Sequence, residues 1–233
     1  MAVDMTDGLK WYLAFIFSTT VHEAAHAWTA LKLGDDTAHR GGQVTLNPIP
    51  HISRSPVGMV VVPVLSFFLG GWMIGWASAP YNARWAILYP RRAAAMSLAG
   101  PASNFLLMVT AALLIRIGML FHLFNAPDRL AFTHVTESMV GGIFPFLATM
   151  LSILFSLNLL LCIFNLMPFP PLDGSGLLMF FAPDHLAEKL FTFLHQPALT
   201  YFGLMVSWRL FDSIFPPIQL LAVNCLYPGF GYH

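Results

Sequence analysis

The chain has 233 residues, of which 57% are hydrophobic and only 9% are charged, and its mean hydropathy is +0.69. A soluble globular protein carries about 25% charged residues, so this composition excludes an ordinary soluble domain and indicates a chain embedded in a lipid bilayer. Lys and Arg total 11 and Asp and Glu total 11, so the net charge of zero offers no basic surface for nucleic acid.

Apolar intervals between charged residues predict the membrane segments, because a bilayer core about 30 Å thick needs roughly 20 helical residues. In chain order these intervals are 11–31, 55–83, 93–115, 138–172 and 190–208. The fourth is uncharged for 35 residues, which exceeds one crossing. Its last part, 165–174, contains a proline cluster and is predicted not to be regular helix. The sequence predicts an all-α polytopic membrane protein that forms one embedded domain, 1–233, with a core at 11–180 and a C-terminal helix at 186–212.

The first segment contains a pattern that indicates metal chemistry, His22-Glu23-Ala24-Ala25-His26. Residues four apart lie on one face of a helix, so both imidazoles can bind one metal ion, and the adjacent Glu23 can deprotonate a water molecule. Ionisable groups inside a bilayer cost about 3 kcal/mol each, which makes their presence a functional hypothesis. The alternative is a polar cluster that only holds helices together, and the concentration of three such groups in five residues disfavours it.

A catalytic zinc site needs a third protein ligand and one open position. Asp173 ends the long uncharged run and is the carboxylate that adjoins its proline-rich end. Prolines at membrane depth prevent regular helix, which is tolerated only inside protein or beside a watery cavity. The alternative for Asp173 is an ordinary carboxylate in an interfacial turn before Gly174. Beside His22 and His26, the metal-ligand interpretation is favoured.

The motif H-E-A-A-H at 22–26 and the motif N-L-M-P-F-P-P-L-D-G at 165–174 together resemble the site-2 intramembrane zinc metalloproteases. The stretches G-Q-V-T-L-N-P-I-P-H-I at 42–52 and L-A-G-P-A-S-N at 98–104 are similar to the compact prokaryotic branch of that family, which lacks PDZ and CBS modules. The similarity spans roughly 11–180. One departure is Ser53, which stands where the compact branch often has Asp.

This resemblance implies one Zn²⁺ per chain on His22, His26 and Asp173, with Glu23 as the base. It also implies a substrate that is a transmembrane protein or peptide, cut within or near its membrane segment in regulated intramembrane proteolysis. The expected location is the cell membrane, with several crossings. Two alternatives stay open: a metal-ion transporter, and an inactive relative that binds transmembrane partners without cutting them.

The position of the zinc ligands constrains the topology. His26 lies six residues, about 9 Å, before Lys32, so the site is nearer the C-terminal end of the first segment. For Asp173 to reach it, an even number of crossings must separate the two. We therefore expect four full transmembrane helices and one re-entrant segment, 55–83, that folds back near Gly70-Gly71. Seven Lys and Arg residues then lie on the active-site side and four on the other, which predicts a cytoplasmic active site.

Several further residues are candidates for contact with the substrate. The alternating stretch within 41–56 is predicted to form either a short β-like edge strand beside the active site, which could pair with an extended substrate, or a plain surface loop. Asn104 and Asn165 are candidates for hydrogen bonding to the substrate backbone or to a developing oxyanion. Amides that bridge helices are the alternative for both. His51 is a candidate auxiliary polar group, with a loop histidine of no role as its alternative.

Overall fold

A computed structural model describes residues 5–232 of the chain, and most of that range is helical. In chain order the helices are α1 (Met5–Leu33), α2 (Thr37–Arg40), α3 (Pro48–Arg54), α4 (Val62–Gly70), α5 (Ala83–Leu88), α6 (Pro90–Leu120), α7 (Phe144–Asn165), α8 (Asp173–Gly176), α9 (Ala187–Leu194) and α10 (Pro197–Leu226). A π-helical turn, Val57–Val61, precedes α4, and two 3-10 turns, Leu177–Phe181 and Asp184–Leu186, follow α8. Two short strands, β1 (Phe124–Asn125) and β2 (Glu137–Ser138), pair antiparallel, with Phe124 opposite Ser138.

Helices α1, α6 and α7 form the central unit, in which α6 packs against both of the others. Hydrogen bonds fix their relative direction: His26 late in α1 meets Met96 early in α6, and His22 meets Asn104 further along. Helix α1 is therefore antiparallel to α6. The chain between them, 34–89, consequently begins and ends at the same end of the unit.

The segment 55–83 reverses direction at its middle. Helix α4 ends at Gly70, and Gly71 adopts a left-handed backbone with φ of +76° that a side chain would disfavour. The returning chain lies back against the π-helical turn, where the Trp76 backbone N–H donates to the Gly58 carbonyl at 3.1 Å. The reversal is thus at the Gly70-Gly71 pair. That this segment enters and leaves one membrane face stays a prediction.

Two helices within 5–232 are long and apolar enough to cross a membrane, α6 and α7, or three if the bent pair Pro48–Arg54 and Val57–Gly70 is one span. The most apolar part of α6 has a mean hydropathy of 1.8, yet only 33% of it is buried inside the protein. Most of this apolar surface therefore faces outward, which suits lipid and would be a large exposed patch in water. The expected total of four full crossings stays a prediction.

Of the two alternatives predicted for 41–56, the edge strand is wrong, because the stretch contains no strand. Helix α3 occupies Pro48–Arg54 instead, because the Asn47 side chain accepts a hydrogen bond from the Ile49 N–H at 3.0 Å and Pro48 supplies the first helical position. The strands β1 and β2 lie elsewhere, in the connection between α6 and α7.

The predicted C-terminal helix 186–212 also differs from the structure. A break before Pro197 divides it into α9 and α10, and α10 continues to Leu226 through Pro216 and Pro217. The proline pair removes two backbone donors, but burial of Val223 and Leu226 in a core with α6 and α7 stabilises the helix beyond it.

Candidate metal centre

Helix α1 presents both histidines of the His22-Glu23-Ala24-Ala25-His26 motif to α6. Both residues are buried, at 7% and 6% exposure, and their Nε2 atoms lie 3.0 Å apart. One residue along, the Glu23 side chain is 5% exposed. The spacing of four residues therefore does what the sequence predicts, and brings two ring nitrogens to one point.

Asp173, the first residue of α8, lies at the same point. Its Oδ2 is 3.0 Å from His22 Nε2 and 3.3 Å from His26 Nε2. Helix α8 and the 3-10 turn after it pack against α6, which holds the carboxylate opposite α1. Ligand atoms of a tetrahedral zinc ion at about 2.0 Å are about 3.3 Å apart, so the three atoms are spaced as zinc ligands are.

The outer nitrogen of each imidazole is fixed by a partner on α6. His26 Nδ1 lies 2.8 Å from the Met96 carbonyl oxygen, and His22 Nδ1 lies 2.6 Å from Asn104 Oδ1. A carbonyl oxygen can only accept, so each Nδ1 carries the hydrogen and each Nε2 keeps its lone pair. Both lone pairs then point toward Asp173.

Three electron-rich atoms in such close contact repel one another unless a cation lies among them. The Oδ2 atom of Asp173 is buried and makes no hydrogen bond within the described chain. These residues are the one group of three or more His, Cys, Asp or Glu side chains in 5–232 that could hold a metal ion. Two neutral imidazoles and a carboxylate form a donor set of the catalytic zinc type. The residues present therefore fit zinc.

Gly100 on α6 leaves the space in which the two imidazoles meet. A Cβ atom built at this position would collide with the Nε2 atoms of both His22 and His26. The backbone of α6 can approach α1 this closely only because residue 100 has no side chain.

Comparison with known proteins agrees with this geometry. The model of Peptidase family M50 matches residues 11–208. The chain belongs to the site-2 protease family, M50. No PDZ or CBS module is found within it. No solved structure matches it.

Two curated relatives are informative. YwhC of Bacillus subtilis, named provisionally as a zinc metalloprotease, is 34% identical over 226 residues, which is 88% of this chain and 92% of YwhC. Rip2 of Mycolicibacterium smegmatis, named in the same way, is 30% identical over 164 residues, or 70% of this chain and 54% of Rip2. The family and these names support a metallopeptidase.

Glu23, predicted from the sequence to be the general base, lies next to the metal cluster in the chain. It is adjacent to His22 in a buried helical turn, and no residue of 5–232 makes a hydrogen bond or ion pair with its carboxylate. Burial of a carboxylate without a partner is costly, so this is not a group that stabilises the helix bundle. Both of its oxygens are free to accept a proton from water.

The three candidates for substrate contact have different surroundings. Asn104 is fully buried and bonds to His22, so the structure places it at the metal centre but behind the imidazole. Asn165 donates from Nδ2 to the Leu161 carbonyl of its own helix at 2.9 Å. His51 is 1% exposed, and its Nε2 lies 3.0 Å from the Thr45 carbonyl, within the loop that precedes α3. The described hydrogen bonds do not join Asn165 or His51 to the metal cluster, and their substrate roles stay predictions.

Sequence reasoning missed three participants: Gly100, the Met96 carbonyl and Asn158, whose Oδ1 accepts a bond from Asn104. The sequence did contain a signal for Asn158, because an amide in the middle of a 35-residue uncharged run is a candidate functional residue. Gly100 lies within the family-like stretch 98–104, but nothing in the sequence shows its contact with the imidazoles, and the Met96 carbonyl gives no sequence signal at all.

Proposed function

We propose that the protein is an intramembrane zinc metalloendopeptidase. It hydrolyses a peptide bond within or near a transmembrane segment of a membrane protein, the reaction of regulated intramembrane proteolysis. The observation that carries this proposal is the buried convergence of His22, His26 and Asp173, with Glu23 beside them and α6 behind them.

The depth of the centre supports a membrane substrate. His26 bonds to Met96, which lies six residues, about 9 Å, inside the start of α6 at Pro90. Helix α6 is apolar and mostly outward-facing, and these features support a site that lies beneath the bilayer surface. A transmembrane segment can reach it by moving sideways, without leaving lipid.

The residues divide the chemistry among them. Bound zinc would supply Lewis acidity, which polarises the scissile carbonyl and acidifies a water molecule. His22, His26 and Asp173 would hold the metal ion. The Glu23 carboxylate takes the proton from the attacking water and then delivers it to the nitrogen of the leaving amine.

A helical substrate hides its peptide carbonyls in hydrogen bonds, so it must unwind before cleavage. The chain at 166–172, next to Asp173, is itself not regular helix. Backbone of this kind is tolerated at membrane depth only inside protein or beside a watery cavity, which suits a site that must admit water and an unwound segment. The relevant substrate is therefore one whose membrane segment unwinds easily.

We place the active site toward the cytoplasm. The antiparallel packing of α1 and α6 supports the arrangement in which 34–89 stays at one face, and the charge count then favours the cytoplasmic side. Cysteine labelling tests this with Ser78→Cys and Asp128→Cys, both at exposed positions, after the exposed Cys225 is replaced by Ser. Ser78→Cys should react from the cytoplasm and Asp128→Cys from outside. Equal reactivity from the cytoplasm would contradict the topology.

The Glu23→Gln variant tests the proposed activity. A general base typically contributes about 100-fold to 10,000-fold in rate, so we expect zinc to remain bound while cleavage falls by at least about 100-fold. An uncut membrane protein should accumulate in cells that express this variant. Cleavage at the wild-type rate would overturn the assignment of Glu23. A wild-type protein that binds zinc and causes no membrane protein to be cut would favour the inactive-relative alternative.

A further inference from the structure

A chain of buried polar side chains links α1, α6 and α7 behind the metal centre. Ser18, Asn104 and Asn158 are each 0% exposed, although they lie on different helices of an apolar bundle. A buried amide without hydrogen bonds costs several kcal/mol, and these are bonded to one another. Their hydrogen bonds also follow one donor-to-acceptor order, which a role in bridging the helices would not by itself require.

The direction begins at a main-chain carbonyl of α7. Asn158 Nδ2 lies 2.8 Å from the Leu154 carbonyl and 2.9 Å from Ser18 Oγ. A carbonyl oxygen only accepts, so the amide nitrogen of Asn158 must face Leu154. Its Oδ1 therefore points the other way, toward α6.

The next bond transmits that orientation. Asn158 Oδ1 can only accept a hydrogen bond, so Asn104 must turn its NH₂ group toward it. The Asn104 Nδ2 atom donates to this oxygen at 2.8 Å. Asn104 must then present its own Oδ1 to the opposite side, where His22 Nδ1 lies at 2.6 Å. The hydrogen of His22 is thereby held on Nδ1, and the lone pair of Nε2 faces Asp173.

We propose that Asn158 is a positioning residue for the metal centre, which acts through Asn104 to hold His22 in the tautomer that binds zinc. If the Asn104 amide were reversed, its NH₂ group would face Nδ1. The imidazole hydrogen would then move to Nε2, where it blocks a cation. Asn158 prevents this reversal without touching His22 or the metal.

The expected size of the effect follows from hydrogen-bond partners of metal-bound histidines in general. Loss of such a partner lowers metal affinity about 10-fold to 100-fold. Asn104→Leu removes the partner itself and should reach that range. Asn158→Leu leaves Asn104 in place but free to reverse, so zinc affinity should fall by about 10-fold.

The test is the zinc dissociation constant of the full-length protein in detergent, measured by competition with a chelator. Cobalt substitution adds a second readout, because tetrahedral coordination gives intense visible absorption that a purely structural role would not change. Ser156→Ala is the matched control: it lies on the same helix, is 0% exposed, and has a hydroxyl with no hydrogen-bond partner in the described chain. Its zinc affinity and cobalt spectrum should match those of the wild type.

A double variant distinguishes two cases: Asn158 acting on His22 through Asn104, which we call the relay, and two residues that act independently. Asn104→Leu with Asn158→Leu should bind zinc as weakly as Asn104→Leu alone, because Asn158 acts only through Asn104. If Asn158→Leu does not fold, Asn158→Ala and Asn158→Ser serve in its place, with Asn158→Ser retaining a small polar group. The proposal is overturned if folded Asn158→Leu or Asn158→Ala protein binds zinc within twofold of the wild type, or if the two losses multiply.

This inference rests on the proposed zinc site, and the two can fail separately. If wild-type protein binds no zinc, the proposed function fails. If wild-type protein binds zinc and loses it with His22→Ala but not with any Asn158 variant, the site stands and the relay alone fails.

Discussion

Replacement of Gly100 by alanine makes the sharpest prediction from the geometry, because one methyl group should have two separable effects. The new Cβ would collide with the Nε2 atoms of His22 and His26, which are the proposed zinc-binding atoms. The helix backbone of α6 cannot yield easily, since it is packed between α1 and α7. The imidazoles must therefore move away from each other or from Asp173.

The expected magnitudes differ for folding and for zinc. Alanine in a helix interior is about 1 kcal/mol more favourable than glycine, whereas overpacking of a core costs about 1–3 kcal/mol. The metal-free protein should thus lose at most about 2 kcal/mol. Zinc affinity should fall by at least about 100-fold, because an imidazole that binds the metal directly is displaced. Loss of only a hydrogen bond to such a ligand already costs about 10-fold to 100-fold in affinity.

Thermal unfolding and zinc competition, measured on the same purified samples, distinguish the two effects. Gly118→Ala is the matched control: it lies on the same helix, and its Cβ would collide with the Phe124 ring instead of the metal centre. Gly118→Ala should lose stability and keep wild-type zinc affinity. A Gly100→Ala protein that binds zinc as tightly as the wild type would refute the assigned ligand geometry.

Two further predictions concern the ligand carboxylate and the far end of the molecule. Zinc at about 100 times its dissociation constant should stabilise the wild type by about 2.7 kcal/mol, while Asp173→Asn should show little zinc-dependent shift in its melting temperature; an equal shift in both would contradict the ligand role. Tyr227→Phe should lower the free energy of unfolding by about 1–3 kcal/mol. The Tyr227 hydroxyl donates to the Val135 carbonyl at 2.9 Å, and without it this carbonyl would stay buried without that hydrogen bond. Burial raises the pKa of Tyr227 to about 12. The folded chain then keeps a proton that the unfolded chain loses, so wild-type stability should fall more steeply than that of Tyr227→Phe as the pH rises from about 10 to about 12.

The sequence was sufficient for the parts of the site that depend on local spacing. His22 and His26 lie four residues apart in a helix, so their convergence needs no knowledge of the rest of the chain. Asp173 could be predicted because carboxylates are rare near apolar runs. The reversal of direction at Gly70-Gly71 followed from the need to bring Asp173 and His26 to the same side.

The parts that depend on tertiary packing were missed or wrong. The continuation of α10 past Pro216 depends on burial of Val223 and Leu226 against other helices. No local sequence pattern predicts that burial. The stretch 41–56 alternates as a strand does, but the Asn47 cap and Pro48 start a helix there. The path from Asn158 through Asn104 to His22 joins residues 54 and 82 positions apart, which a single sequence cannot show.

The most direct test of the central claim is the position of the scissile bond. A membrane protein that accumulates with Glu23→Gln should be purified, incubated with wild-type protein and zinc, and its fragments mapped by mass spectrometry. The account predicts a cut within or near the apolar transmembrane segment of that protein, and no such fragment with Glu23→Gln. A cut confined to a soluble domain, or the same cut made by Glu23→Gln, would contradict it.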